Sequence, residues 1–188
     1  MSAPMKLKVS PTAIDGVLVI EPTVFGDERG WFTESFNAYD FAAATGLSIN
    51  FVQDNHSFSR QWTLRGLHYQ LEKTQGKLVR VTSGSVFDVA VDLRANSPTY
   101  GKWAGVELSA QNHKQLWIPA GLAHGFLVLS ETAEFLYKTT DYYHPQSEAC
   151  LAWNDPQVNI EWPLPKGITP NMNAKDSAGL SWEIAPKF

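Results

Sequence analysis

The stretch Leu64-Arg65-Gly66-Leu67-His68-Tyr69-Gln70, followed by Gly76-Lys77-Leu78-Val79-Arg80, places one imidazole and three cations on segments of strand-like sequence. Leucine and valine recur along both segments and glycines interrupt them, as is typical of half-buried β-strands. Cations on buried strands are costly unless they find partners, and an anionic ligand in a cleft would be one such partner. The alternative is a pair of surface strands with solvated cations and a core histidine. Taken alone, the stretch favours that alternative.

Strand-like segments recur along the chain, with very little helical sequence between them. The clearest alternation lies in residues 85–93, where four apolar side chains share one face and Asp88 and Asp92 share the other. One short helix is predicted, which Asn37 caps and Gly46 ends. The other predicted strands are residues 16–20, 31–36, 49–56, 102–108, 115–118, 123–129, 133–142 and 149–153.

Many short strands with few helices predict an all-β fold, either a β-sandwich or a small barrel. A chain of 188 residues is long enough for a substantial core. We therefore expect a single domain over residues 1–188, with a loop-rich C-terminal segment from about residue 164.

Composition excludes several classes of protein. The net charge is −4 and the Lys and Arg residues are scattered, which gives no support to nucleic-acid binding. Cys150 is the only cysteine, so no internal disulfide is possible and a reducing compartment is expected. Residues 1–6 contain no apolar targeting segment, and no apolar run approaches spanning length. We expect a cytoplasmic protein without a membrane partner.

Pro119-x-Gly121-x-x-His124 resembles half of the second motif of cupin barrels, in which the histidine usually binds a metal. The rest of the ligand set is missing, because the first motif would need His-x-His and the chain has His68-Tyr69-Gln70. A catalytic transition metal usually needs three protein ligands. A cupin-like jelly-roll barrel without a metal therefore fits better than a metalloenzyme.

A barrel without a metal must find its acid and base among side chains. Histidine changes charge near neutral pH, so His68 is the best candidate for the base. Tyr137 lies in the middle of a predicted strand, where it could donate a proton into a cavity or be an ordinary core tyrosine. Arg29, Arg65 and Lys77 could hold a diphosphate through charge-assisted hydrogen bonds. The sequence has no glycine-rich phosphate loop or dinucleotide fingerprint.

From residue 17 to residue 179 the sequence closely resembles the dTDP-4-dehydrorhamnose 3,5-epimerase family. The motifs of the resemblance are Phe25-Gly26-Asp27-Glu28-Arg29-Gly30, Phe51-Val52-Gln53-Asp54-Asn55-His56-Ser57, Leu64-Arg65-Gly66-Leu67-His68, Gln75-Gly76-Lys77-Leu78-Val79-Arg80, Trp117-Ile118-Pro119, Ala123-His124-Gly125-Phe126, Phe135-Leu136-Tyr137-Lys138, Trp153-Asn154-Asp155 and Ala174-Lys175-Asp176. So many separated motifs in the family's order make a specific signal.

The resemblance implies a catalytic role for four residues. His68 would be the base and Asp176 its carboxylate partner, Tyr137 the acid on the opposite face of the sugar ring, and Lys77 the cation that stabilises an enolate. It also implies a cupin-type jelly-roll fold, a dTDP-sugar substrate, a homodimer, and no metal or organic cofactor. The implied substrate-binding residues are Arg29, Phe32, Glu34, Gln53, Asn55, Arg65, Lys77, His124, Tyr142, Glu148 and Lys175, with Tyr142 stacking on thymine.

Three alternatives remain open at this point. An epimerase that acts at carbon 3 or carbon 5 alone would share the same base and acid, because the difference lies in how the ring is presented to His68. A non-catalytic barrel that binds sugar nucleotides would need no matched acid and base. A metal-dependent cupin oxygenase is disfavoured by the missing ligands.

Overall fold

Two antiparallel β-sheets form the frame of the protein in a computed structural model that describes residues 6–188. The expectation about a targeting segment concerns mainly residues 1–5, which lie outside the described residues. The six-stranded sheet contains, in spatial order, β1 (Leu7–Pro11), β2 (Leu18–Pro22), β10 (Gln115–Ile118), β7 (Lys77–Ser83), β12 (Thr132–Thr139) and β5 (Gln53–Arg60). The five-stranded sheet contains β13 (Glu148–Cys150), β6 (Leu64–Gln70), β11 (Leu122–Val128), β8 (Ser85–Asp92) and β9 (Trp103–Ser109).

Three short elements and a hairpin complete the fold. Helix α1 (Ala38–Thr45) follows the hairpin β3 (Val24–Asp27) and β4 (Gly30–Thr33), and helix α2 (Ala174–Ser177) lies near the C-terminus. A single 3-10 turn covers Pro145–Ser147. The predicted all-β jelly-roll fold with a few short helices is confirmed. Within residues 6–188 neither sheet closes on itself, so the molecule is a sandwich and not a continuous barrel.

The inner faces of the two sheets share one apolar core. Alternate residues point inward from each strand, such as Val79 and Val81 of β7 against Val86 and Ala90 of β8. Asp88 lies between Val86 and Ala90 on this inner face of β8. The predicted alternation of residues 85–93 is thus confirmed, and its two carboxylates lie on the inner side of the sheet and away from water.

Helix α1 covers the outer face of the six-stranded sheet. Its N-cap is Asn37, whose side chain accepts backbone N–H groups, and it ends at Gly46 in the left-handed region with φ of 74°. Phe41 anchors the helix against Trp117, with ring centroids 5.8 Å apart in an edge-to-face arrangement. Burying one such aromatic side chain stabilises the fold by roughly 1.5–3 kcal/mol.

The C-terminal segment covers the outer face of the five-stranded sheet. Leu151, Val158 and Trp182 pack against Val89 and Val91 of β8. The segment contains the short helix α2, and Asn171 forms a backbone bridge with Thr63. That bridge brings the C-terminal segment alongside β6.

Gly66 lets β6 approach β11 closely in front of His68. It has φ of 110°, and a Cβ atom there would lie 2.5 Å from the carbonyl oxygen of His124 and 2.7 Å from Cα of Gly125. Only glycine fits that space and that backbone conformation without strain. His68 and His124 are therefore held directly opposite each other on neighbouring strands.

The described residues include no helix that is both long and apolar enough to span a membrane.

Candidate active site

A cavity of about 490 Å³, including its mouth, opens between the two sheets at one end of the sandwich. The residues lining it are His68, Tyr69, Gln70, Gln75, Lys77, Gly121, Leu122, Tyr137, Tyr143 and Glu148. Three of the four predicted catalytic residues are in this set, and the fourth, Asp176, lies in direct contact with His68.

His68 and Asp176 form a hydrogen-bonded pair. Nε2 of His68 lies 2.7 Å from Oδ1 of Asp176, whose side chain is almost fully buried. Asn173 caps α2 by accepting the backbone N–H of Asp176, which fixes the helix under β6. Burial is the largest single effect on the pKa of Asp176 and would raise it, but the hydrogen bond and charge of His68, the backbone N–H of Gly66 and the charge of Lys175 together lower it. The ionised carboxylate therefore accepts Nε2–H, which leaves Nδ1 of His68 as the basic nitrogen.

Lys77 enters the cavity from the six-stranded sheet and is buried. Desolvation lowers the pKa of its amine to about 8, although the nearby charges of Asp88 and Glu148 act in the opposite direction. A buried cation in this position can accept developing negative charge from a ligand with little competition from water.

Tyr137 lies on β12, next to the strand of Lys77. In the register of the two strands Tyr137 is opposite Val79 and Thr139 is opposite Lys77, so the tyrosine and the lysine share the inner face. Burial raises the pKa of Tyr137, which keeps its hydroxyl protonated. His68 comes from the five-stranded sheet, and the base and the proton donor therefore face the cavity from opposite sheets.

The mouth of the cavity carries a charged cluster around Glu148. Its carboxylate accepts hydrogen bonds from Nζ of Lys175 and from the hydroxyl of Tyr143, the latter at 2.7 Å. Burial would raise the pKa of Glu148, but these two partners lower it. The predicted residues Glu148 and Lys175 are thus brought together.

Three more predicted binding residues lie beside the cavity. Gln53 and Asn55 share the inner face of β5 and are joined by a 3.0 Å hydrogen bond, and Gln53 also accepts the backbone N–H of Tyr143 at 3.1 Å. Arg65 donates to Ser59 at 2.9 Å. None of the three is among the residues that line the cavity.

The tyrosine pair at the mouth differs from the sequence prediction. The resemblance predicts that Tyr142 stacks on a base, but Tyr143 is the one that lines the cavity. Tyr142 is turned outward and held through its backbone, whose carbonyl accepts from Gln70. The pair follows the end of β12, where strand alternation no longer tells which side chain points inward.

Arg29, Phe32 and Glu34 are not brought to the cavity of the single chain. Arg29 is paired with Asp27 in its own hairpin, at 2.5 Å between Nη2 and Oδ2. Phe32 is 67% exposed, and Glu34 lies 3.6 Å from Lys6. These three predicted positions are exposed and lie outside the cavity.

Sequence reasoning missed two buried residues of the site, Cys150 and Asp88. Cys150 lies opposite His68 across β13 and β6, and desolvation raises the pKa of its thiol to about 12, so it is unreactive. Asp88 contacts His124, with its carboxylate oxygens 3.0 Å and 3.1 Å from Nε2. The sequence pattern could have indicated Asp88, because a carboxylate in the middle of an otherwise apolar strand is unusual unless it has a partner.

One group of side chains in the described part of the chain has the composition of a metal site. Ligand atoms of His68, Cys150 and Asp176 lie within 4.8 Å of one another. The imidazole and the carboxylate are already bound to each other, and the thiol is strongly protonated. His124, the histidine of the half-motif, is bound to Asp88 and is not in this group.

Comparisons with known proteins identify the family to which the chain is similar. The family model described as dTDP-4-dehydrorhamnose 3,5-epimerase matches residues 11–183. A protein of that name from Pseudomonas aeruginosa is 56% identical over 182 residues, which are 97% of this chain and 99% of the relative.

Solved structures share both fold and sequence with the chain. A dTDP-6-deoxy-D-glucose-3,5-epimerase from Legionella pneumophila, in complex with dTDP-4-keto-L-rhamnose, matches with a TM-score of 0.90 and 50% identity over 97% of this chain and 98% of its own. A 3′-monoepimerase from Streptomyces bikiniensis, in complex with dTDP-quinovose, has a TM-score of 0.84 and 32% identity over 91% of this chain and 86% of its own. The chain belongs to the dTDP-4-dehydrorhamnose 3,5-epimerase family, whose members are carbohydrate isomerases.

Proposed function

We propose that this protein converts dTDP-4-dehydro-6-deoxy-D-glucose to dTDP-4-dehydro-L-rhamnose by inverting carbons 3 and 5 of the sugar, a step of dTDP-L-rhamnose synthesis. The observation that carries the proposal is the arrangement of the cavity. A histidine–carboxylate pair faces it from one sheet, and a protonated tyrosine and a buried lysine face it from the other. The higher identity to a double epimerase than to the monoepimerase supports inversion at both carbons.

The residues have distinct roles in the proposed reaction. Nδ1 of His68 removes the proton from carbon 3 or carbon 5, and the electron pair moves into the carbon 4 carbonyl to give an enolate. The Lys77 ammonium group donates a hydrogen bond to the enolate oxygen. As the enolate collapses, Tyr137 delivers a proton to the opposite face of the same carbon.

Proton exchange with water then resets both groups, and the same cycle inverts the second carbon. Asp176 keeps His68 in the correct tautomer and stabilises the imidazolium that forms. General acid–base catalysis of this kind contributes typically about 10²–10⁴-fold per group. No step requires a metal or an organic cofactor.

The charged mouth of the cavity suits the nucleotide. Lys175 and Arg65 are the cations that we expect to bind the diphosphate through charge-assisted hydrogen bonds, and Gln53 and Asn55 offer amides beside the cavity. Tyr143 is the better candidate for stacking on thymine, because it lines the cavity whereas Tyr142 does not. We expect the reaction to take place in the cytoplasm.

We further propose that the protein is a homodimer and that a second copy delivers Arg29, Phe32 and Glu34 to the site. Phe25 and Phe32 are opposite each other on β3 and β4, and both are more than half exposed. Adjacent exposed aromatic side chains on a projecting hairpin usually mark a contact surface. The single chain leaves these resemblance-derived binding residues outside its own cavity, so a partner's cavity is where they would act.

The test is to incubate the protein with dTDP-4-keto-6-deoxyglucose in deuterated water and to follow carbons 3 and 5 by NMR. Deuterium at both carbons, with a downstream reductase then giving dTDP-L-rhamnose, is the expected result. Deuterium at only one carbon would make the protein a single-site epimerase. Binding without any exchange would leave only a sugar-nucleotide-binding barrel.

A further inference from the structure

Residues 141–143 follow β12 at the mouth of the cavity, and side chains fix their backbone. In the described part of the chain, none of their backbone groups bonds to another backbone group. The carbonyl of Asp141 accepts from the side chain of Gln75 at 2.8 Å, and the N–H of Tyr143 donates to the side chain of Gln53 at 3.1 Å. A segment of this kind depends on such side chains for its conformation.

Gln70 is the most buried of the side chains that hold this segment. It is 5% exposed, and its amide binds the backbone on both sides of Tyr143. Oε1 accepts the backbone N–H of His144 at 3.0 Å, and Nε2 donates to the carbonyls of Tyr142 at 3.3 Å and Lys73 at 2.9 Å. Both ends of the amide are therefore paired, as a buried polar group requires.

The far end of the Tyr143 side chain is held by Glu148. The tyrosine hydroxyl donates to the carboxylate at 2.7 Å, and Glu148 lies directly opposite Gln70 in the register of β13 and β6. The backbone and the hydroxyl of Tyr143 are thus anchored to neighbouring residues on adjacent strands. Gln70 has no role in the proposed proton transfers, and its contacts lead to Tyr143.

We propose that Gln70 is a positioning residue that holds Tyr143 in place for stacking on the planar base of a bound nucleoside diphosphate. This inference rests on the proposed function, in which Tyr143 stacks on thymine. An aromatic ring that is fixed before the ligand arrives loses little conformational entropy on binding, whereas a ring on a loose segment must first be ordered. Loss of Gln70 should therefore weaken recognition of the base and spare recognition of the diphosphate.

The test is a calorimetric titration with dTDP and with inorganic pyrophosphate, neither of which carries the hexose. Gln70→Met keeps the length of the side chain and removes its hydrogen bonds to the backbone. We expect the Kd for dTDP to rise about fivefold or more, the range that loss of a base–aromatic stack usually gives. The Kd for pyrophosphate should stay near the wild-type value. An unchanged Kd for dTDP, or an equal loss for both probes, overturns the proposal.

A second substitution shows whether Gln70 acts through the tyrosine ring. Tyr143→Ala alone should also weaken dTDP selectively, and by at least as much as Gln70→Met. In the Tyr143→Ala background, Gln70→Met should cause no further loss, because two residues that act through one contact are not additive. Additive losses would mean that Gln70 affects the ligand by another route, and they would overturn the proposal.

Two further variants keep the test decisive. Gln61→Met removes a comparable hydrogen bond before the start of β6, from Nε2 to the carbonyl of Leu129 at 2.9 Å, and it should change neither Kd. Should Gln70→Met fail to fold, Gln70→Asn keeps a buried amide whose side chain is too short to bind the backbone on both sides of Tyr143. The same selective loss of dTDP affinity is expected for it, and equal affinities for wild type and Gln70→Asn would overturn the proposal.

Kinetics distinguish this inference from the proposed function. In Gln70→Met the KM for the dTDP-sugar should rise while kcat stays near wild type, because stacking contributes equally to the ground state and the transition state. A fall in kcat with an unchanged KM would overturn the positioning role. If the wild-type protein exchanged no deuterium, the proposed function would fail, while the two Kd values would still judge the role of Gln70. A wild-type protein that bound dTDP no more tightly than pyrophosphate would overturn the inference.

Discussion

The carboxylate of Asp176 orients His68 and fixes its tautomer, so that one ring nitrogen can act as the base. It accepts Nε2–H at 2.7 Å and so selects the tautomer whose Nδ1 lone pair is free. Asp176→Asn would keep a side chain of the same size but would remove the charge that stabilises the imidazolium. We expect kcat for deuterium exchange at both carbons to fall by about 10²–10⁴-fold, with substrate binding retained in a calorimetric titration.

Cys150→Ser is the matched control for Asp176→Asn. Cys150 lies beside the same pair, but its strongly protonated thiol takes no part in the proposed chemistry. The exchange rate should stay near that of wild type. A residual rate within about tenfold of wild type in Asp176→Asn would argue against the orienting role, since a carboxylate in this position is usually worth more.

Tyr137 is proposed to act only as the acid, so its loss should affect net epimerisation and deuterium exchange differently. Without its hydroxyl, His68 can still remove and return a proton on one face, so exchange persists while inversion fails. In Tyr137→Phe we expect the rate of net epimerisation to fall by about 10²-fold or more, and the rate of deuterium exchange to fall much less. Equal losses in the two assays would count against a separate acid.

Tyr69→Phe is the control for the loss of a buried tyrosine hydroxyl. Tyr69 borders the cavity, but its side chain packs with Leu67 on the opposite face of β6 from His68, and its hydroxyl donates to the carbonyl of Pro186 at 2.8 Å. Removing this hydroxyl should lower the free energy of unfolding by about 1 kcal/mol and leave both assays unchanged.

At the scale of single elements, the sequence predicted those whose signals are local. Asn37 and Gly46 mark the ends of α1 through side-chain capping and a left-handed backbone, and both act within one turn of the chain. Helix α2 was missed because its four residues are too few to show any period. It forms since Asn173 caps it and Asp176 is bound by His68, a residue more than a hundred positions away.

The end of β8 depends on one buried carboxylate. Asp92 is 0% exposed and accepts hydrogen bonds from Arg94, Ser97 and Thr99, which close the turn into β9. Burial alone would raise the pKa of Asp92, but these hydrogen bonds outweigh burial and lower it to about 2. Asp92 therefore stabilises the folded state in its ionised form.

Asp92→Asn should lower the free energy of unfolding at pH 7 by roughly 2–3 kcal/mol, as the difference between a folded pKa of about 2 and an ordinary value of 3.8 implies. Because the pKa of Asp92 is lower in the folded state than in the unfolded chain, its ionised form stabilises the fold. The contribution is nearly complete above about pH 5, where the carboxyl group of the unfolded chain is also ionised, and it is lost as the pH falls toward 2. Urea unfolding of both proteins at pH 7 and at pH 3 measures it.

Glu21→Gln is the comparison for Asp92→Asn. Glu21 of β2 forms an exposed ion pair at 2.8 Å with Lys8 of the edge strand β1, and such pairs contribute little to stability. Its urea curve should match that of wild type. A destabilisation by Asp92→Asn that does not shrink between pH 7 and pH 3 would show that lost packing, and not lost charge, is responsible.

At the scale of the whole molecule, alternation and turn residues were enough to predict an all-β sandwich or barrel, but not which segments cover the outer faces of its two sheets. The residues that line the cavity come from both sheets, and the resemblance supplied their roles, while the register of β6 against β11 set their geometry. The positions of Arg29, Phe32 and Glu34 could not be predicted from one chain, because within residues 6–188 Arg29 pairs with Asp27 and Glu34 contacts Lys6, and neither contact reaches the cavity.

If the hairpin β3–β4 reaches the cavity of a second copy, catalysis depends on dimerisation. If Arg29 acts in the cavity of a second copy, then Arg29→Ala and His68→Asn damage different parts of the same composite site. Each variant alone should be nearly inactive. When the two variants are mixed, partially unfolded and refolded, half of the dimers should be hybrids in which one site is intact. About one quarter of the wild-type activity should then return.

The outcome separates a shared site from a self-contained one. If Arg29 served its own cavity, every site in a hybrid would carry one of the two defects, and mixing would restore nothing. Phe58→Ala combined with His68→Asn is the matched control, since Phe58 is exposed on the outward face of β5 and has no proposed role in the site. That double variant should complement Arg29→Ala as well as His68→Asn does, provided that sedimentation shows it to be dimeric.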